Sequence, residues 1–166
     1  MVEQGEADKL NLSIVGNSMG GHIAIRVAER LQAEGFGMKK LVLTSPAAYS
    51  SNAENKHFGP EFSAALREGG LETSPALSGL QRFIEGGGQV MLSWVESDRP
   101  IPQAVKDAYD SVVGSTLQSG ELVNMQSYLG VEHNFRAMGT DPKDNIVNPL
   151  VRDHGMDQMA EFLVNS

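Results

Sequence analysis

The spacing of hydrophobic residues along this chain changes several times, and each change marks an element. "EADKL" has the look of a helix tail, and Leu12 to Val15 then form a short apolar run that predicts a strand. From Met19 the period lengthens. Ile23, Val27 and Leu31, with Ala24 and Ala28 between them, recur at helical spacing and leave Arg26, Glu29 and Arg30 facing outward. Gly35 and Gly37 end that helix. "KKLVLTSP", Lys39 to Pro46, predicts a second buried strand stopped by its proline. Residues 47–88 hold no sustained period, only short helical stretches near Glu61–Arg67 and Leu77–Glu85. Gln89 to Val95 read as a third strand, and Ile101 to Val113 as a helix with Pro102 suited to its first turn. Glu121 to Gly130 make a weaker fourth strand. The last segment ends in a helix with Met156, Met159, Phe162 and Leu163 on one side.

Strands that alternate with helices, and that are continuously apolar, predict an α/β fold. Its core would be a parallel sheet of about four strands covered by helices. Right-handed crossovers set successive strands side by side, and ligand chemistry gathers beyond the strands' carboxyl ends. No repeat or linker divides the chain, so residues 1–166 form one domain, with 47–88 a small lid-like or irregular insert.

Composition narrows the classes. A chain of 166 residues can bury about 70% of its unfolded surface. A formal charge of −8 disfavours nucleic acid and anionic membranes as partners. No apolar run is long enough to span a bilayer, and the acidic "MVEQGEADKL" is unlike a signal peptide, so the expected location is cytoplasmic. The absence of cysteine excludes disulfides, thiolate nucleophiles and Cys-ligated metal.

Chemistry-bearing residues stand just after the strands. Ser18 follows the first, Thr44-Ser45-Pro46 the second, Asp98 the third, and His133 the fourth. A serine hydroxyl is a poor nucleophile until a base accepts its proton, and that base needs a third group to fix its tautomer. Ser18 lies within Gly16-Asn17-Ser18-Met19-Gly20, a G-x-S-x-G sequence between a strand and a helix. There Gly16 and Gly20 would remove side chains that collide with a strained turn, and Gly21 would let helix and strand pack closely. The Met19 N–H, at a helix N-terminus, is the candidate oxyanion donor. Asn17, Ser45 and Pro46 are candidates for the substrate pocket, and Glu96 is a reserve acid. His22 reads as packed under the elbow and His154 as capping or solvated, while His57, in the irregular insert, could at most touch substrate. No His, Asp and Glu cluster has metal-ligand spacing, and Gly86–Gly88 precede a strand, which is wrong for a phosphate loop. No metal or other cofactor is expected.

In this combination the chain resembles the C-terminal half of an α/β-hydrolase. "SIVGNSMGGHIAIRVA" is similar to the family's fifth strand, nucleophile elbow and following helix, and "KKLVLTSPAA" to its sixth strand. "QVMLSWVESDRPIP" is similar to the seventh strand with its acid at Asp98, and "GVEHNF" to the histidine loop after the eighth. The resemblance implies a serine hydrolase, most simply a carboxylic ester hydrolase acting on a small molecule. Ser18 would be the nucleophile, His133 the base and Asp98 its orienting acid. Apolar residues of 47–88, among them Phe58, Phe62, Leu66, Leu71, Leu77 and Leu80, would suit an apolar acyl or aryl group or belong to the core.

The family's first four strands, and the loop that donates its second oxyanion N–H, have no counterpart here. Two alternatives follow: a module for assembly or interaction without turnover, or, from "GNSMGG", a hydrolase of C–C bonds in ring-fission products. The edge of the first strand should be bare and should call for a cover, either a second copy in a homo-oligomer or another chain.

Overall fold

The computed structural model describes residues 11–116, 123–139 and 146–165. Strand β1 (Leu12–Asn17) passes through Ser18 into helix α1 (Met19–Ala33) and returns as β2 (Met38–Thr44). The crossover to β3 (Gln89–Ser97) contains α2 (Ser51–Glu54), α3 (Pro60–Glu68), a 3-10 turn (Leu71–Thr73) and α4 (Pro75–Glu85). Helix α5 (Gln103–Thr116) leads to β4 (Val123–Glu132), a 3-10 turn (His133–Phe135), the short β5 (Arg136–Ala137) and α6 (Pro149–Val164). Strands β1 to β4 are parallel and lie side by side in chain order, and β5 adds an antiparallel edge to the end of β4.

The apolar runs of β2 and β3 are central strands buried on both faces, whereas β1 lies at the end of the strand order. Leu41, Val42 and Leu43 of β2 and Val90, Met91 and Leu92 of β3 are wholly enclosed. On one face α1, α4 and α5 close over the sheet with Ile25, Leu80, Phe83 and Tyr109. On the other, Met159 of α6 joins Val42, Met91, Tyr128 and Val131. The enclosed Tyr109 hydroxyl donates to the Ala47 carbonyl at 2.9 Å, so its burial leaves no polar group unsatisfied. No helix among the described residues is long and apolar enough to cross a membrane.

Several details differ from the periodicity. The core side of α1 is Ala24, Ile25 and Ala28, whereas Ile23 and Val27 are 49% and 41% exposed. This helix is apolar around much of its circumference, and spacing alone cannot say which side meets the sheet. Small alanines face inward because they allow close approach. In α6, Met159 is buried but Met156 is 56% exposed, and His154 lies exposed within the helix rather than before it. The N-cap of α6 is Asn148, whose side chain accepts from the Val151 N–H.

Residues 47–88 do not behave alike. Helix α4 packs against α1 and α5 and buries Ala76, Leu77, Leu80, Phe83 and Ile84, so Leu77 and Leu80 belong to the core. Helices α2 and α3 pack on each other and bury Ala53 and Ala65, with Leu66 exposed. The helix tail read at "EADKL" lies outside the described residues, as do Glu121 and Leu122.

Candidate active site

The turn between β1 and α1 holds Ser18 at φ 52° and ψ −124°, a conformation that costs energy for any residue with a side chain. Neighbours over-determine it. The Ser18 N–H donates to the Thr44 carbonyl at 3.0 Å, and the Ser18 carbonyl accepts from Gly21 (2.9 Å) and Ala47 (2.8 Å). The exit of β2 therefore grips the elbow on both sides of the serine.

The glycines divide in function. A Cβ on Gly16 would meet the Gly20 carbonyl oxygen at 2.5 Å and Gly21 Cα at 2.7 Å. On Gly21 it would meet Pro46 Cβ at 2.5 Å, so the close approach there is to the β2 exit. On Gly20 it would meet nothing within 4 Å. Crowding explains Gly16 and Gly21 but not Gly20, which corrects the expectation from the motif.

Ser45 and Pro46, read from the sequence as substrate contacts, lie beneath the elbow instead. Ser45 is fully buried at φ 43° with an unpartnered hydroxyl, and Pro46 fills the space left by Gly21. Asn17 is exposed and directs its side-chain amide to the Thr44 carbonyl at 3.3 Å. No side chain caps the first turn of α1, which leaves the Met19 N–H beside Ser18 at the positive end of the helix.

Asp98 and His133 arrive from neighbouring strand ends. Asp98 Oδ1 and His133 Nδ1 are 2.7 Å apart, with the two side chains 0% and 12% exposed. A carboxylate at that distance selects the imidazole tautomer with a proton on Nδ1 and leaves Nε2 as the free base. The histidine sits at the tip of a tight hairpin, where Val131 and Glu132 pair with Ala137 and Arg136. Asn134 and Phe135 both adopt φ 59°. The hairpin is anchored from below: Phe135 is buried against Tyr128, and its carbonyl accepts from the Asn148 N–H at 3.0 Å. Gly155 of α6 lies close enough that a Cβ would come within 3.2 Å of both rings. Among the described residues no hydrogen bond joins Ser18 Oγ to His133. Such contacts are commonly long before substrate binds.

Glu96, the reserve acid, is engaged elsewhere, accepting from the Gly130 N–H at 2.7 Å. His22 is buried against Tyr49, with ring centroids 4.7 Å apart and Nε2 at 3.3 Å from Glu54. Burial, more than any charge nearby, pushes its pKa below the ordinary histidine value of 6.5, with the Glu54 carboxylate acting in the opposite sense. His57 is exposed.

A groove of about 760 Å³ lies along α1, lined by Met19, Arg26 and Glu54 with the aromatic rings of Tyr49, Phe58 and Phe62; Ser18, Asp98 and His133 are not among its lining residues. Among the described residues no group of three His, Asp or Glu side chains gathers as a metal site.

Sequence reasoning missed Lys40. This lysine is 3% exposed, and its ammonium donates to the carbonyls of Phe162 (2.6 Å), Leu163 (3.2 Å) and Asn165 (2.8 Å), where it caps α6. The available signal was a charge inside an apolar strand.

A strained serine between β1 and α1, with an Asp–His pair at the ends of β3 and β4 of the same parallel sheet, decides the architecture. This is an α/β-hydrolase fold. Among solved structures, the chain is similar to a Klebsiella pneumoniae protein provisionally named a dienelactone hydrolase (TM-score 0.63, 15% identity), covering 98% of this chain and 55% of that one. It is similar to dipeptidyl peptidase 4 of Porphyromonas gingivalis (TM-score 0.63, 18% identity), covering 96% and 20%. A carboxylesterase of Lactobacillus plantarum also matches (TM-score 0.58, 15% identity), covering 96% and 62%. The chain thus spans less than two thirds of each. No family model matches the sequence, and no curated protein is significantly similar to it. Identities this low show the α/β-hydrolase fold and leave the chemistry to the residues themselves.

Proposed function

We propose that this chain is a serine hydrolase of carboxylic esters. The carrying observation is the buried Asp98–His133 hydrogen bond of 2.7 Å at the ends of β3 and β4, in the same parallel sheet whose strand β1 ends at a strained Ser18. Ser18 Oγ attacks the acyl carbon while His133 Nε2 takes its proton. The negative charge on the former carbonyl oxygen is met by the Met19 N–H. His133 then returns the proton to the departing alkoxide, and water attacks the acyl-enzyme by the same base to release acid and Ser18. Asp98 holds the ring and stabilises its charged form. The groove lined by Met19, Phe58 and Phe62, which begins one residue after Ser18 in the chain, suits an apolar or aryl group. The proposal includes a cytoplasmic setting and no cofactor.

A fluorophosphonate probe tests this directly: it should label the folded chain at Ser18 and leave Ser18→Ala unlabelled. Equal labelling of the two proteins, or none of either, would overturn the proposal.

Assembly without turnover is the second reading, favoured by a specific surface. Among the described residues strand β1 forms one edge of the sheet, and its own Val15 and the Ile23 and Val27 of α1 are 56%, 49% and 41% exposed. An edge without a neighbour among the described residues, next to apolar side chains, invites pairing with a second copy or another chain. Sedimentation of the purified chain at micromolar concentration should show self-association or a bound partner. A strictly monomeric species would remove the basis for that cover.

A further inference from the structure

The mechanism does not use Glu96, yet its carboxylate sits where β4 changes course. Strands β3 and β4 are in register at Val95↔Tyr128 and again at Ser97↔Glu132. Between those pairs β3 contributes only Glu96, whereas β4 contributes Leu129, Gly130 and Val131. The excess forms a bulge with Gly130 at φ 72°, a left-handed conformation that glycine reaches without strain. The bulged Gly130 N–H donates to Glu96 Oε2 at 2.7 Å, and the Gly130 carbonyl accepts from Met138 at 3.4 Å.

The bulge decides where the histidine arrives. With uninterrupted pairing, two further residues of β4 would extend past Ser97 and carry His133 roughly 6–7 Å along the strand axis. A 2.7 Å bond to Asp98 would not survive that displacement. We infer that Glu96 is a positioning residue: it holds the β4 bulge through Gly130 and so brings His133 onto Asp98. Its consequence for catalysis rests on the proposed Ser-His-Asp chemistry, while its effect on His133 does not.

The role requires an acceptor, not a charge. A glutamine in place of Glu96 could still accept the Gly130 N–H; an alanine could not. An acid acting on His133 in place of Asp98 would need its charge, so Glu96→Gln separates the two. The test measures Gly130 amide exchange, the ring 1H–15N correlations of His133 and the rate of Ser18 labelling by the fluorophosphonate. Glu96→Ala should speed Gly130 exchange about ten-fold, shift the His133 ring signals and slow labelling about ten-fold, as expected for a lost charge-assisted hydrogen bond. Glu96→Gln should restore most of each. Gly130→Ala, which strains the bulge with Glu96 intact, should shift His133 in the same direction and serves if Glu96→Ala does not fold.

Unchanged exchange and unchanged ring signals in Glu96→Ala would overturn the inference. So would a Glu96→Gln protein as impaired as Glu96→Ala. If the wild-type chain fails to label while the spectra respond as expected, the hydrolase proposal falls and the positioning role stands.

Discussion

The elbow at Ser18 and the hairpin at His133 both place a candidate side chain on or beside strained backbone, but by different means. At the elbow, strain and its relief lie within a few residues. Gly16 and Gly21 clear the space, α1 begins at once, and the nearest long-range support is the β2 exit. At the hairpin almost every support is remote: Tyr128 and Gly155 around Phe135, Asn148 on its carbonyl, Glu96 on the bulge, Asp98 on the ring. The proposed nucleophile is written into a short motif, whereas the proposed base has to be delivered by the sheet.

Substitutions can widen or collapse that contrast. The largest effect is expected at Asp98. Asp98→Asn keeps the shape but favours the wrong tautomer of His133, and turnover of an ester that wild type cleaves should fall on the order of 10⁴-fold. A loss under about ten-fold would show that the delivered base is not oriented by this carboxyl.

The elbow itself is tested by its glycines. Gly16→Ala drives a methyl into the backbone of Gly20 and Gly21 and should destabilise by about 3 kcal/mol or more. Gly20→Ala, with open space around it, should stay within about 1 kcal/mol of wild type. Thermal unfolding of the pair measures this, and equal losses would mean the motif's glycines share one cause.

The smallest effect concerns His22 of the elbow helix, packed against Tyr49. Its folded pKa lies below 6.5, so below that pH the unfolded chain takes up a proton more readily than the folded one. Stability should therefore fall as pH drops from neutrality through 6.5 toward the lower folded value, and level off beneath it. His22→Gln should reduce that slope when melting temperature is followed against pH. Its Nδ1 is buried without a partner, so the charged ring would leave an N–H unsatisfied.

Much of the fold was legible because its strands are short, continuous and punctuated by glycine and proline. Four parallel strands in chain order followed from that pattern, and the structure has them. The phase of α1 was not legible, since a helix apolar on several sides has no unique inward face. Nor was the role of 47–88, because α4 becomes a core helix only through contact with α1 and α5. Of the candidate site residues, Ser18, Asp98 and His133 stood out by their place after strands. Ser45 and Pro46 were misread because position after a strand does not reveal which side of the elbow a residue lies on.

Local rules of backbone and periodicity sufficed for the α/β order, the strained serine turn and the helix end beside it, since each depends on neighbours within a few residues. The 2.7 Å meeting of Asp98 with His133, the bulge held by Glu96 and the capping of α6 by the buried Lys40 join residues far apart in the chain. Those arrangements exist only once the sheet has formed, because register and packing, rather than residue order, set the distances between strand ends.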